Sequence, residues 1–387
     1  MKRVYFITDI DLAEPGGQSV HVTQLAKNIA KKSLDVTLYY PALSGTTVSI
    51  PKEIRGVPIR VPRKGWLRSR LFQVRLFFKL LNAPKPDVLY IRLSAGAIAP
   101  ILYARLSKVP SFVEVNGNLR AEYRSGFGRQ MMGKHFIKLW RIRWVENLNF
   151  RWSTGVIFVD ERLKEEYMES YKIKGKIAVI HNGADVEVFK PIQKEKARNI
   201  VGLSIKDLLI GYTGALAPWY AIDDLIRAIS ILIAEGLTVR LVVVGGGPET
   251  LRLKTLTKDL NLESHVLFTG AVPFFKIPFY INAFDILALP LRPKGGSPIK
   301  LYEYLACGRP VVGTRVSQLQ IIEEIGAGVL AEPNSPESLA QAIKMLLQRR
   351  DEWETMGERG RAYVKANATW SHVAERTISF IKQSLRE

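Results

Sequence analysis

Short apolar runs alternate along this chain with longer stretches in which apolar residues recur every three or four positions. The runs near residues 3–8, 35–40, 88–93, 111–115, 155–159 and 176–180 predict strands, and the stretches near 19–32, 66–81, 98–107, 131–152 and 161–170 predict helices. The series then restarts, with runs near 208–213, 239–244, 266–269, 285–290, 310–313 and 328–331. Strands without internal polar alternation, separated by helices, belong to parallel sheets covered on both faces. Two such series predict an α/β chain of two Rossmann-like, doubly wound domains, whose ligands bind at the carboxyl ends of the strands. The expected boundary lies in the polar stretch 189–202, after Lys190-Pro191, and residues 335–387 read as helical throughout. No tandem repeat or low-complexity segment interrupts the pattern.

Length and composition agree with this division. The 387 residues suffice for two cores, and 47% hydrophobic with 24% charged residues is the balance of an ordinary globular protein. Cys307 is the single cysteine and cannot close an internal disulfide, which fits a reducing cytosol. The first apolar run gives way to Thr8, Asp9 and Asp11 too soon for a signal peptide. The apolar stretch between Arg92 and Arg105 is also too short to span a bilayer, so the expectation is a chain that does not cross a membrane.

The candidate chemistry concentrates in residues 295–312, Gly-Gly-Ser-Pro-Ile-Lys-Leu-Tyr-Glu-Tyr-Leu-Ala-Cys-Gly-Arg-Pro-Val-Val. A glycine pair following a strand and opening a helix directs backbone N–H groups of 297–301 toward a bound anion. Lys300 adds a positive charge at the same end, and Glu303, a turn further on, can accept from two neighbouring hydroxyls such as those of a ribose. A nucleoside diphosphate would use all three features. A capped helix with a surface lysine and glutamate would account for the spacing equally well.

The same stretch resembles the C-terminal signature of the retaining GT-B glycosyltransferases, family 4 type, in the branch written S-P-x-K-x-x-E-Y-x-A-x-G-x-P-V-V. Four further segments are similar to that family in the same order: Pro15-Gly16-Gly17 with Val20-His21-Val22, His181-Asn182-Gly183-Ala184-Asp185 with Phe189-Lys190-Pro191, residues 211–216 with Pro218-Trp219, and Val244-Gly245-Gly246-Gly247-Pro248. The resemblance covers nearly the whole chain. It implies two Rossmann-like domains facing a cleft: an acceptor domain over 1–188, a nucleotide-sugar domain over 189–367, and a helix over 368–387 crossing back to the first domain. It implies transfer of a sugar from a nucleotide-diphosphate sugar with retention, without a metal or other cofactor. The residues it points to as catalytic are Lys300 and Asn116. Those expected to hold the donor are Gly16, Gly17, Gly214, Val272, Ser297, Ile299, Lys300, Leu301 and Glu303. Gly16 and Gly17 would let the first loop approach the diphosphate closely, or else form a plain tight turn.

The chain also departs from the family. Ala215 stands where an arginine is usual, Tyr220 where a lysine is usual, Gly295 at the place of a first glutamate, and Asn116 where a histidine ordinarily follows the fourth strand. Two missing cations weaken the electrostatic stabilisation of a leaving diphosphate. A catalytically weak or inactive sugar-nucleotide-binding scaffold is therefore one alternative, and a sugar-nucleotide epimerase of the same fold is another. Asp9-Ile10-Asp11 reads as turn and cap chemistry, not a metal site. His21 either touches substrate or packs locally, and His181 is expected to be structural.

Charge is uneven. Residues 1–186 carry 31 Lys/Arg against 15 Asp/Glu, while 187–387 carry 25 against 21. Between Glu53 and Asp87 there are nine basic residues and no acid. Within 66–81, Leu67, Leu71, Val74, Phe78 and Leu81 share one helical face beside Arg68, Arg75 and Lys79. Residues 129–152 repeat the theme with Lys134, Lys138, Arg141 and Arg143 among Trp140, Trp144 and Trp152. Such faces suit an anionic membrane surface, or they merely cover the sheet. Nucleic acid is the rival partner for the charge, but no recognition motif accompanies it. The expectation is a cytoplasmic enzyme lying on the inner face of a membrane, with a lipid-linked or other glycan acceptor and no nucleic acid.

Overall fold

The computed structural model describes residues 1–13, 16–43, 48–62, 67–125, 132–293 and 297–386, without the side chains of 122, 124, 125 and 132–135. Pro15, Arg63, Lys64, Trp66, Arg129, Gly295 and Gly296, all used in the sequence reading, lie outside the described residues, as does the side chain of Lys134. The chain divides into two compact units, Met1–Asn182 with Trp370–Glu387, and Gly183–Thr369.

The first unit contains β1 (Arg3–Ile7), α1 (Gly17–Ala30), β2 (Asp35–Leu43), β3 (Arg55–Val61), α2 (Leu67–Leu81), β4 (Val88–Arg92), α3 (Ala99–Ser107), β5 (Ser111–Val115), α4 (Leu119–Ser125), α5 (Met132–Trp152), β6 (Gly155–Phe158), α6 (Glu161–Ser170) and β7 (Lys176–Val179). Its seven strands lie parallel in the order β3-β2-β1-β4-β5-β6-β7. β4 and β5 are buried at every position, which explains their unbroken apolar runs.

The second unit contains α7 (Lys194–Val201), β8 (Leu209–Thr213), α8 (Ile222–Ala234), β9 (Arg240–Val244), α9 (Thr250–Asp259), β10 (Val266–Gly270), α10 (Ile277–Ala283), β11 (Ile286–Leu289), α11 (Ile299–Ala306), β12 (Val311–Thr314), α12 (Ile321–Glu324), β13 (Gly328–Ala331), α13 (Pro336–Gln348) and α14 (Trp353–Asn367). Its six parallel strands run β10-β9-β8-β11-β12-β13. Side chains on alternate positions of β8 enter different cores, Ile210 and Tyr212 one and Leu209 the other. The last helix, α15 (Trp370–Arg386), packs against α1 within the first unit.

The first unit ends at Asn182, earlier than the residue 188 read from the sequence, because residues 183–188 already belong to the second unit. The Ala184 amide donates to the Ala368 carbonyl at 2.9 Å, and Phe189 is buried in the second unit's core. The return falls at Trp370 and not 368, since Ala368 is part of that same core.

Candidate active site

In each sheet one strand has neighbours whose connections leave in opposite directions: β1 between β2 and β4, and β8 between β9 and β11. The carboxyl ends of such strands open a crevice between diverging loops. In the second unit the loops after β8, β9 and β10 are laced together there. The Gly214 amide donates to Val244 O at 2.8 Å, Leu216 to Gly246 O at 3.0 Å and Gly245 to Gly270 O at 2.9 Å. Gly214 (φ +133°) and Gly245 (φ +138°) both occupy backbone territory that favours glycine. A Cβ on Gly245 would overlap the Gly214 carbonyl oxygen, and one on Gly214 would overlap the Lys300 ammonium.

Lys300, in the first turn of α11, projects to this point. Its Nζ donates to the Tyr212 hydroxyl at 2.7 Å and lies 3.7 Å from the ring centre of Tyr220 and 4.4 Å from that of Tyr212. The Tyr212 hydroxyl in turn donates to Ala215 O at 2.7 Å. Among the described residues no carboxylate pairs with Lys300, and Glu303 acts on it only through space. Burial therefore dominates, lowering the Lys300 amine to about 7 and raising the Glu303 carboxyl to about 7, each only partly offset by the other. A bound anion would supply the counter-charge that the site lacks. Tyr304, on the same helix, accepts from the Thr213 amide at 2.7 Å and fixes α11 against the end of β8.

The helix start offers fewer amides than the sequence suggested. Pro298 is the N-cap and has no N–H, and the Leu301 amide is spent on Pro298 O at 3.2 Å. The Leu301 side chain points into the core, so any contact it makes with the donor would have to go through that amide. The amides of Ile299 and Lys300 have no intrahelical acceptor. Ser297 is partly buried beside them. Val272 follows the β10 turn at Gly270 and packs partly buried on the second unit's core.

In the first unit Gly16 is the N-cap of α1 and Gly17 its first residue. The Gly16 amide donates to Ser19 Oγ at 3.2 Å. Gly16 has an extended backbone (φ 173°), and a Cβ there would meet nothing within 4 Å. The fold itself does not demand glycine at this position. Asn116 lies at the end of β5, where its side-chain amide donates to Glu114 Oε2 at 3.0 Å. His21 is only 2% exposed, with Nδ1 2.9 Å from Asn182 Oδ1, Nε2 2.9 Å from Glu114 Oε1 and its edge against the Trp370 ring. Both ring nitrogens are used internally, which decides the open question: His21 packs locally. Burial alone would raise the Glu114 carboxyl, but His21, Arg92 and Asn116 together outweigh it and hold that group at about 2. His181 Nδ1 lies 3.1 Å from Val159 O, a local structural contact. Asp11 accepts from the Ala13 amide at 3.0 Å, the expected turn chemistry, while burial raises the Asp9 carboxyl.

The basic helices carry apolar side chains on two faces. Phe72, Leu76 and Leu80 of α2 enter the core, leaving Val74 and Phe78 exposed at 54% and 60% beside Leu67 and Leu81. On α5, Ile142, Val145 and Phe150 are buried while Phe136, Ile137, Trp140 and Trp144 face outward. α3 packs against both helices. Among the described residues no helix is long and apolar enough to cross a membrane.

Sequence reasoning did not foresee Tyr212 or Glu114, and it saw Tyr220 only as a missing lysine. The available signal for Tyr212 was its place at the end of β8, on the inward row shared with Ile210 and two residues before Gly214.

Two family models match the chain: "Glycosyltransferase Family 4" over residues 15–188 and "Glycosyl transferases group 1" over residues 207–349. An uncharacterized glycosyltransferase of Methanocaldococcus jannaschii is 23% identical, covering 92% of each chain. A GDP-mannose-dependent alpha-(1-6)-phosphatidylinositol monomannoside mannosyltransferase of Mycobacterium tuberculosis is 26% identical over 59% of this chain and 61% of its own. The crystal structure of Anabaena HepE in complex with UDP and glucose superposes with a TM-score of 0.77 at 18% identity, covering 99% of this chain and 100% of that one. With two parallel Rossmann-like sheets and these matches across both units, the chain belongs to the group 1 glycosyltransferases of the GT-B fold.

Proposed function

We propose that this glycosyltransferase moves a sugar from a nucleotide-diphosphate sugar to a hydroxyl of a lipid-linked or other membrane-associated acceptor. It does so with retention and without a metal, on the cytoplasmic face of an anionic membrane, in cell-envelope glycan or glycolipid synthesis. The observation that carries the donor reading is the Lys300 ammonium at the glycine-laced end of β8, without a carboxylate partner among the described residues, and with Glu303 one turn further along the same helix. In this reading the bond from the anomeric carbon to the diphosphate breaks while the bond to the acceptor oxygen forms on the same face. The acceptor proton passes to the departing phosphate. Lys300 and the amides of Ile299 and Lys300 receive the charge that develops on the leaving group, and Glu303 orients the ribose. Gly16 and Gly17 leave room for the sugar and Asn116 contacts it.

The acceptor reading rests on the basic first half and on the outward apolar faces of α2 and α5. A relative that acts on a phosphatidylinositol mannoside is consistent with it. UDP in HepE and GDP-mannose in the mycobacterial relative make those two nucleotides the first donors to try. Once a thermal-shift screen has found the donor, Lys300→Ala and Glu303→Ala should each lower turnover by about a hundredfold. Unchanged turnover in both variants would remove the proposed site. Ala215 and Tyr220, standing where cations are usual, favour a second reading as a weak or inactive binder. Saturable donor binding with neither transfer nor hydrolysis would establish that one instead.

A further inference from the structure

We propose that Tyr212 and Tyr220 are positioning residues for Lys300, holding its amine by one ring face and one phenol oxygen in place of a carboxylate, so that an incoming diphosphate meets no competing anion. This inference rests on the donor reading of the site and extends it to residues outside the phosphate contacts.

Three observations carry it. The ammonium lies 3.7 Å from the Tyr220 ring centre, within the range where a ring quadrupole attracts a cation, and meets Tyr212 at its hydroxyl, 4.4 Å from that ring's centre. A tyrosine hydroxyl has one proton, and Tyr212 gives its own to Ala215 O at 2.7 Å. Its lone pairs are therefore turned to Lys300, which donates to it at 2.7 Å. Gly214 completes the cradle, since any side chain there would displace the ammonium. A carboxylate in the place of these rings would also hold the lysine, but it would neutralise it and compete with phosphate. Aromatic faces attract a cation without adding net charge.

The protonation of Lys300 follows from this arrangement. Burial lowers the amine to about 7, so above neutrality the free protein holds it mostly uncharged. A bound diphosphate restores the counter-charge and draws a proton in. The Tyr220 ring and the Tyr212 oxygen favour the ammonium, so removing either should weaken anion binding most where that proton has to be taken up.

Calorimetric titration of the full chain with pyrophosphate, UDP and GDP at pH 6 and pH 8.5, in buffers of different ionisation enthalpy, tests this. Wild type should bind at least one probe with proton uptake at pH 8.5. Tyr220→Leu should weaken that binding about tenfold at pH 8.5 and markedly less at pH 6. Tyr220→Phe, which keeps the ring, should stay within about twofold of wild type. Tyr212→Phe, which keeps its ring and loses the oxygen, should weaken binding about fivefold with the same dependence on pH. If Tyr220→Leu does not fold, Tyr220→Phe and Tyr212→Phe still carry the comparison. Equal losses at both pH values, equal harm from Leu and Phe, or no loss would overturn the inference and leave the donor site standing. Failure of all three probes to bind wild type would remove the donor reading, and this inference with it.

Discussion

Gly16 and Gly245 are glycine for different reasons, and substitution separates them. Gly245 sits at φ +138° with its Cβ direction filled by the Gly214 carbonyl, so Gly245→Ala should cost several kcal/mol of stability in urea unfolding, about 2–4. Gly16 has an ordinary backbone and open space where a Cβ would point. Gly16→Ala should leave stability within about 0.5 kcal/mol of wild type while slowing transfer. Undiminished transfer in that variant would mean that nothing approaches the first loop. Lys300 offers a third test at this scale. Its amine falls from 10.5 to about 7, so its burial costs stability at all pH values below 7 and the cost fades as pH rises toward 10.5. Lys300→Met should therefore raise the melting temperature of the unliganded protein at pH 6, and the gain should shrink by pH 10. Tyr212 stays satisfied in that variant through Ala215 O. Lys300 and Glu303 stood out as donor-site candidates because residue type and spacing at a glycine-opened helix, together with the family resemblance, drew attention to them. The tyrosines under Lys300 did not, since Tyr220 reaches it only after α8 and α11 have folded onto the same sheet end.

Among elements, α1, β5 and α15 are joined by one buried ring. His21 from α1 meets Glu114 at the end of β5, Asn182 after β7 and Trp370 at the start of α15. Glu114 is lowered from 4.5 to about 2, so it contributes stability at pH values above 4.5 and loses it as pH falls from 4.5 to 2. Glu114→Gln should cost about 3 kcal/mol at pH 7 and flatten the acid limb of stability across that window, read from melts at pH 7, 4 and 3. An acid limb identical to that of wild type would take Glu114 out of the linkage. The sequence pattern captured β5 and α6 with their observed ends because a fully buried strand and an Asp160-capped helix declare themselves locally. It missed β3, an edge strand bearing Pro58, Arg55 and Arg60 in which only Ile59 and Val61 are buried. An edge strand needs no continuous apolar run and tolerates proline and charge. It also missed α4, a short helix entered from the Asn116 turn.

At the scale of the whole molecule, the net charge of +20 comes mostly from the half that also exposes Val74, Phe78, Trp140 and Trp144. Neither feature alone implies a membrane. A basic surface can be merely solvated, and α2 and α5 already bury a separate apolar face in the core. Their coincidence on helices that share α3 as a neighbour is what supports the proposed membrane reading, in which electrostatic attraction and apolar insertion act together. The two terms respond to different variables. Each basic residue near an anionic leaflet contributes about 1 kcal/mol, and that term is screened once the Debye length falls from about 8 Å at physiological salt toward 3 Å at 1 M. Burial of indole is not screened. Sedimentation with phosphatidylglycerol vesicles should therefore show binding at 50 mM salt that weakens by about tenfold or more at 500 mM, with neutral phosphatidylcholine vesicles binding far less. Trp140→Ser with Trp144→Ser should weaken binding at both salt concentrations. It should leave the melting temperature unchanged, because both side chains are exposed, at 61% and 44%. Absence of vesicle binding at low salt would discard the membrane face. Equal salt-sensitive binding to duplex DNA would show that the charge lacks selectivity for lipid.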